Sequence, residues 1–459
     1  MLRNDTICAL ATPAGMGAIA VIRLSGDTAI SLVDNVFFSP GGKKKLITQP
    51  GYTVHFGAIK QNDEILDEVL VTVFRAPHSF TGEDSVEISC HGSPLIQNKI
   101  LQLLIQNGAR MADPGEFTMR AFMNGKMDLS QAEAVADLIA AENEAAHKVA
   151  LQQMRGGFSK EIDQLREELI NFASLIELEL DFAEEDVEFA DRSNLTALLE
   201  QINRVLLRLI QSFAVGNVIK NGIPVAIVGA PNAGKSTLLN ALLNEERAIV
   251  SDIAGTTRDT IEDEIHLGGI TFRFIDTAGL RETVDEIETL GISKAYEKID
   301  HANVVLYLYD AANPPQDLEQ HLGAIITRAK NKPVLVLANK VDRAATISKP
   351  KADFTRFLEI SAKNKLGIEE LQHALLEVVG IAAISNNEVV VTNTRHYEAL
   401  QKALEAVDRV LEGIHHNLTT DLLAEDVREA LRHLGNITGA IEVDRDILGT
   451  IFSKFCIGK

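Results

Sequence analysis

The octapeptide GAPNAGKS at 229–236 constrains this chain more than any other stretch. An apolar, β-branched run (223–228) precedes it and a leucine-rich run (237–243) follows. Strand, glycine loop and helix start form the setting in which a glycine, four residues and Gly-Lys-Ser hold phosphate. Gly229 and Gly234 let the backbone curl around an anion. Successive N–H groups across Asn232, Ala233, Gly234 and Thr237, at the start of a helix, face it. Lys235 adds a point charge on the β- and γ-phosphates, and the Ser236 hydroxyl suits Mg²⁺. An ordinary glycine turn before a helix is the bland alternative, and the loop alone leaves it open.

The later runs narrow the choice. The segment 270–275 reads as a strand ending in Asp276, Thr277, Ala278 and Gly279. Asp276 is placed to hold Mg²⁺ through water, and the Gly279 N–H to meet a γ-phosphate. A second apolar strand, 334–338, ends in Asn339, Lys340, Val341 and Asp342, and the strand at 357–360 leads into Ser361, Ala362 and Lys363. Ligands of open α/β sheets sit at strand carboxyl ends, where all these loops fall. The four loops, in this order, resemble the GTPase superfamily. The Asp342 carboxylate can accept from guanine N1–H and N2–H₂, donors that adenine lacks. Hydrogen bonds to charged groups contribute about 1.5–3 kcal/mol each, enough for two to reject ATP strongly.

A length of 459 residues allows for about three domains. The net charge of −21 argues against a self-sufficient nucleic-acid binder, which carries a basic surface. Cys8, Cys90 and Cys456 are too few and too scattered for a disulfide framework or a zinc site, so reduced, cytoplasmic thiols are expected. No signal-peptide pattern or apolar run of spanning length is seen, so no membrane is expected.

Along the chain, 1–124 reads as α+β, with strands at 18–24, 68–74 and 85–89 and a helix at 92–108. From 125 to 217 the texture is helical, with helices at 131–151, 162–180 and 194–215 and an acidic turn at 181–186. The nucleotide domain occupies 218–382, and helices return at 395–411 and 422–434 within 383–459. Helices on both sides of the nucleotide domain fit two separate helical domains or, more economically, one helical core with that domain inserted.

Several further motifs resemble one family, the bacterial tRNA modification GTPases called MnmE or TrmE. They are DTICA (5–9), IRLSG (22–26), SFTGED (79–84), PGEFT (114–118), KMDLSQAE (126–133) and the terminal FCIGK (455–459). The resemblance implies a folate-binding, dimerising N-terminal domain, a helical domain and an inserted Ras-like G domain. It implies a homodimer that joins an FAD-dependent partner, MnmG or GidA, in a heterotetramer, with tRNA held mainly by the partner. The product would be an aminomethyl or carboxymethylaminomethyl group at C5 of the wobble uridine. The one-carbon unit would come from 5,10-methylenetetrahydrofolate or a formyl-tetrahydrofolate analogue.

Site residues follow from the same resemblance. Arg23, Glu87, Lys126 and Lys459 match the family's folate-binding positions; each alone also reads as a surface charge. Cys456 matches a cysteine near the folate and substrate, where a nucleophilic and a positioning role both stay open. Leu280 stands where Ras-like proteins carry the water-orienting glutamine, so the water must be oriented from elsewhere. Glu288 matches the family's catalytic glutamate, with a solvated acidic loop as the alternative. In place of an arginine finger the family uses K⁺. Asn232, Ser251, Ile253 and Thr256 match its ligands, within a loop formed by Ser251, Asp252, Ile253, Ala254, Gly255, Thr256 and Thr257. Thr257 would join Ser236 on Mg²⁺. Two other classes compete: an Era-like ribosome-assembly switch, and a folate-binding structural subunit with an incidental GTPase.

Overall fold

The computed structural model describes residues 5–42, 45–62, 64–181, 192–245, 263–275, 296–379, 389–416, 418–440 and 458. The expected acidic turn at 181–186 falls almost wholly outside them, as do Glu288 and Cys456. The chain divides into two compact units. One comprises residues 1–139, 152–203 and 402–459; the other comprises 140–151 and 204–401.

In the first unit, β1 (Ile7–Leu10), β2 (Ile19–Ser25), β3 (Phe37–Phe38), β4 (Thr53–Gln61), β5 (Glu64–Phe74), β6 (Ser85–His91) and β7 (Arg110–Met111) form one sheet. Its order is β3-β4-β5-β6-β2-β1-β7. Residues alternate across it. Ile22, Leu24, Val71, Val73, Val86 and Ile88 bury one face against α1 (Ala29–Val36) and α2 (Pro94–Gln106). The residues between them point the other way. Register sets Arg23 opposite Glu87, Glu87 opposite Thr72, and Thr72 opposite Val54, a row across four strands of the outer face. This face is polar at Arg23, Glu87 and Ser89, and apolar and exposed at Ile19, Val54, Phe56 and Leu70. Near β1 it is covered by Phe117 of α3 (Glu116–Met123), packed on Ile7 and Ala9.

Helices follow, some of them shared between the two units. The expected single helix over 131–151 is two, α4 (Leu129–Ile139) and α5 (Glu144–Met154). The break has a local cause: Asn143 caps α5, its side-chain oxygen accepting from the Ala146 N–H at 2.8 Å. Then come α6 (Gly157–Asp181) and α7 (Arg192–Asn221). The last described helix, Thr420–Thr438, packs on α6 and α4, so helical segments from either side of the nucleotide-binding stretch share a core.

The second unit holds β8 (Ile223–Gly229), α8 (Lys235–Glu245), β9 (Asp263–Leu267), β10 (Ile270–Phe274) and β11 (Val304–Asp310). After these come α9 (Leu318–Ala329), β12 (Val334–Asn339), β13 (Arg356–Glu359) and α10 (Ile368–Val379). The sheet order is β13-β12-β11-β8-β10-β9, parallel except for β9. Ile223, Val225 and Ile227 face α8 and α10, while Ala226 and Val228 face α9. Apolar residues on both faces are what a parallel sheet between helices requires. The hairpin β9–β10 turns on Gly268 and Gly269, both at positive φ, the two-residue turn whose twist suits paired strands.

Candidate functional site

The loops leaving β8 and β12, together with the loop after β13, meet at the carboxyl edge of the nucleotide sheet. Gly229 has no alternative there: a Cβ would lie 2.0 Å from the Leu308 carbonyl oxygen of the neighbouring strand. Asn232 takes the left-handed conformation at φ 61°, which asparagine tolerates better than most residues. Gly234 is at φ 101°, and a Cβ would strike the Asn339 side-chain amide at 2.3 Å. Lys235 opens α8 and folds back along the loop, its Nζ donating to the carbonyls of Gly229 at 2.9 Å and Ala230 at 3.0 Å. Burial, helped by the charge of Lys298, lowers its pKa. The cation is therefore partly desolvated where an anion would restore the balance.

Asn339 braces this arrangement from beneath. Its side chain is 2% exposed; Nδ2 donates to the Ala233 carbonyl at 2.8 Å, and Oδ1 accepts from the Ala362 N–H at 3.0 Å. Lys340 reaches across to the Asn232 carbonyl at 2.8 Å and pairs with Asp310 at 2.7 Å. Asp342 accepts from the Ser361 hydroxyl at 2.6 Å. That bond leads the causes that hold its carboxyl below the usual range, so the acceptor expected to read a guanine edge is ionised. Asn339, Lys340, Asp342, Ser361 and Ala362 thus share one network with the phosphate loop, and exposed Lys363 follows in chain. Asp310, the partner of Lys340, was not legible: an aspartate ending an apolar strand carries no motif. Ser251–Thr257, Asp276–Gly279 and Glu288 lie outside the described residues, and so does most of the expected Mg²⁺ and K⁺ ligand set. Ser236 and Asn232 are described, in the first turn of α8 and in the phosphate loop.

A second polar cluster lies on the outer face of the N-terminal sheet. Arg23 donates through Nε to Glu87 at 2.9 Å, and its guanidinium sits 5.4 Å from the Phe80 ring and 5.8 Å from the Phe117 ring. Lys126 donates to the Pro77 carbonyl at 2.9 Å, and its side chain would touch a Cβ on Gly82 at 3.4 Å. The loop joining β5 to β6 therefore carries both Phe80, beside Arg23, and Gly82, beside Lys126. Sequence reasoning missed Phe80 and Phe117, because only register and the fold of α3 bring them to Arg23. Beneath the loop, buried Arg120 bridges Asp5, Glu83 and Glu116. Cys8 and Cys90 are buried, which pushes both thiols up to about 11 and leaves them poor nucleophiles.

Of the C-terminal tail, Gly458 alone is described. Its φ is 98°, and a Cβ would lie 2.2 Å from the Leu10 carbonyl oxygen and 3.1 Å from the Ala11 Cα. Leu10 ends β1, one residue beyond Ala9, the cross-strand neighbour of Arg23. Cys456 and Lys459 are outside the described residues.

A family model described as the MnmE helical domain matches residues 129–456, and one described as GTP-binding protein TrmE N-terminus matches residues 6–126. The chain belongs to the MnmE family. It is 59% identical, over the whole of both chains, to a protein of Flavobacterium johnsoniae named tRNA modification GTPase MnmE. Equally complete matches under the same name come from Christiangramia forsetii at 58% and Bacteroides fragilis at 54%. Membership accounts for an N-terminal α+β domain, a helical domain and a P-loop nucleotide domain in one chain. Among the described residues, no helix is long and apolar enough to cross a membrane.

Proposed function

We propose that this chain hydrolyses GTP and takes part in tRNA modification, placing an aminomethyl-type group on C5 of the wobble uridine with an FAD-dependent MnmG-type partner. The observation that carries the first half is the Asn339 brace, which ties a phosphate loop to an Asp342–Ser361 base-reading pair. The names of its full-length relatives support the second half.

In this reading the loop amides and Lys235 bind the phosphates, and Asp342 selects guanine. Ser236, Thr257 and, through water, Asp276 would hold Mg²⁺; Asn232, Ser251, Ile253 and Thr256 would hold K⁺. These cations supply neutralisation of charge on the phosphoryl oxygens. Glu288 would orient the attacking water.

The Arg23, Glu87 and Lys126 cluster would hold a reduced folate. Arg23 and Lys126 suit its carboxylates, Glu87 its pterin N–H groups, and Lys459 would complete the site. The packing of Gly458 beside β1 supports bringing the tail, with Cys456, to that cluster. The exposed apolar row Val54, Phe56 and Leu70 supports a homodimer through the N-terminal domain. A net charge of −21 fits a tRNA held mainly by the partner, in the cytoplasm.

The test is nucleoside mass spectrometry of tRNA from a strain whose only copy is Lys235→Ala, beside the unmodified gene. Loss of C5-modified wobble uridine is expected in the variant. Normal modification in that strain, or its absence in the unmodified one, would overturn the proposal.

A further inference from the structure

Residues 140–151 cluster with the nucleotide-binding unit although the chain on either side of them belongs to the other unit. What holds them there is the N-terminus of α5 on the β9–β10 hairpin. The Asn143 amide uses both its ends. Its oxygen caps α5 through the Ala146 N–H at 2.8 Å, and its Nδ2 donates to the Thr271 hydroxyl at 2.9 Å. Thr271 lies on β10, 5% exposed, and its hydroxyl also meets His266 Nδ1 of β9 at 3.0 Å. The Ala145 N–H points at the Gly269 carbonyl of the turn at 3.4 Å. One side chain therefore fixes the start of a helix and grips both strands of the hairpin through a single hydroxyl.

The hairpin's position in the chain gives the grip its meaning. It begins just after 251–257 and ends just before 276–279, the two stretches that the family resemblance assigns to the cations and the γ-phosphate. Loops of that kind rearrange with nucleotide state, and the rigid element between them has to follow. From this contact we propose that Asn143 is a positioning residue that hands movement of the β9–β10 hairpin to α5. The chain would receive it at 139/140 and 151/152, where it passes into the other unit. The proposal rests on the GTPase reading above and deepens it, by naming the contact through which hydrolysis is felt outside the nucleotide site.

The contact can be cut without removing the cap. Thr271→Val keeps a β-branched strand residue and deletes the hydroxyl. Asn143→Ser keeps a good helix cap but is too short to reach β10. In the full-length protein, hydrogen exchange of the α5 amides would be compared with GDP and with a non-hydrolysable GTP analogue. The unmodified protein should show a nucleotide-dependent change in α5 exchange of about two- to tenfold, the range a single neutral hydrogen bond can shift. Both variants should lose that difference while still hydrolysing GTP. Equal α5 exchange in the two nucleotides in the unmodified protein, or a difference that survives in both variants, would overturn the proposal. Absence of GTP hydrolysis in the unmodified protein would sink the underlying function instead, which keeps the two failures distinct.

Discussion

At the phosphate loop the groups that would meet a ligand are mostly backbone N–H, shaped by Gly229, Asn232 and Gly234 at positive φ. On the outer face of the N-terminal sheet they are side chains, Arg23, Glu87 and Lys126, set by strand register and by the loop joining β5 to β6. A site made of backbone must be written as consecutive glycines and small residues at fixed spacing. A site made of side chains can be gathered from positions 64 or 103 apart and leaves no local pattern. The first kind can be reasoned out residue by residue, whereas the second is recognised only through likeness to a known relative.

Five experiments test that contrast. The largest effect is expected from monovalent cations at the phosphate loop. If K⁺ held by Asn232 replaces an arginine finger, hydrolysis in sodium should fall by roughly 10³–10⁵ relative to potassium. Steady-state rates at matched ionic strength measure this; equal rates would remove the cation from the scheme. Next comes Lys235→Ala, which deletes the part-buried cation of the loop. One charged hydrogen bond carries about 1.5–3 kcal/mol and Lys235 is placed for two phosphates, so kcat/KM for GTP should drop roughly a hundredfold or more. A variant with unimpaired turnover would mean that the loop does not hold the phosphates.

Asp342→Asn should be smaller and more selective. GTP affinity should fall about ten- to a hundredfold while xanthosine triphosphate gains, because the amide can donate to its C2 oxygen. The same carboxylate predicts a pH effect with a definite sign. Its pKa is lowered, so base recognition should persist through the ordinary aspartate range and be lost only as pH falls below it. Titrations from neutral to acid pH check this, and a midpoint above the ordinary range would contradict the Ser361 bond.

The smallest effect on the nucleotide site is expected from Gly458→Val. A Cβ meets the Leu10 carbonyl, and a left-handed residue with a side chain costs about 1–2 kcal/mol. Tail docking should weaken about tenfold and wobble-uridine modification should fall, with GTP hydrolysis unchanged. Equal loss of both activities would show that the two sites are not separable.

Particular residues show where sequence reading stops. The apolar runs at 223–228 and 334–338 are strands, as a sheet covered on both faces accepts five or six consecutive apolar residues. The joint between α4 and α5 was hidden, since Ala and Glu at 140–142 continue a helical pattern and only the cap and its Thr271 partner end it. Strand β9 was missed as well. Within Asp263–Leu267 polar and apolar residues alternate over only four positions, and its identity depends on pairing across Gly268 and Gly269. The Arg23–Glu87 pair needed the antiparallel register of β2 and β6, which no single segment specifies. The overlap of Phe80 with Arg23 needed the course of the connecting loop as well.

Asn339 has a consequence for how tightly a nucleotide can be held. By bonding Ala233 on one side and Ala362 on the other, it makes the phosphate-holding and base-holding loops one rigid frame. A ligand that spans such a frame loses its rotational and translational freedom once, so its two ends act as a chelate. Guanosine and inorganic pyrophosphate offered separately should each bind far more weakly than half of the free energy of GTP would suggest. Cutting the brace would cost affinity for the joined molecule while leaving that for either fragment almost unchanged.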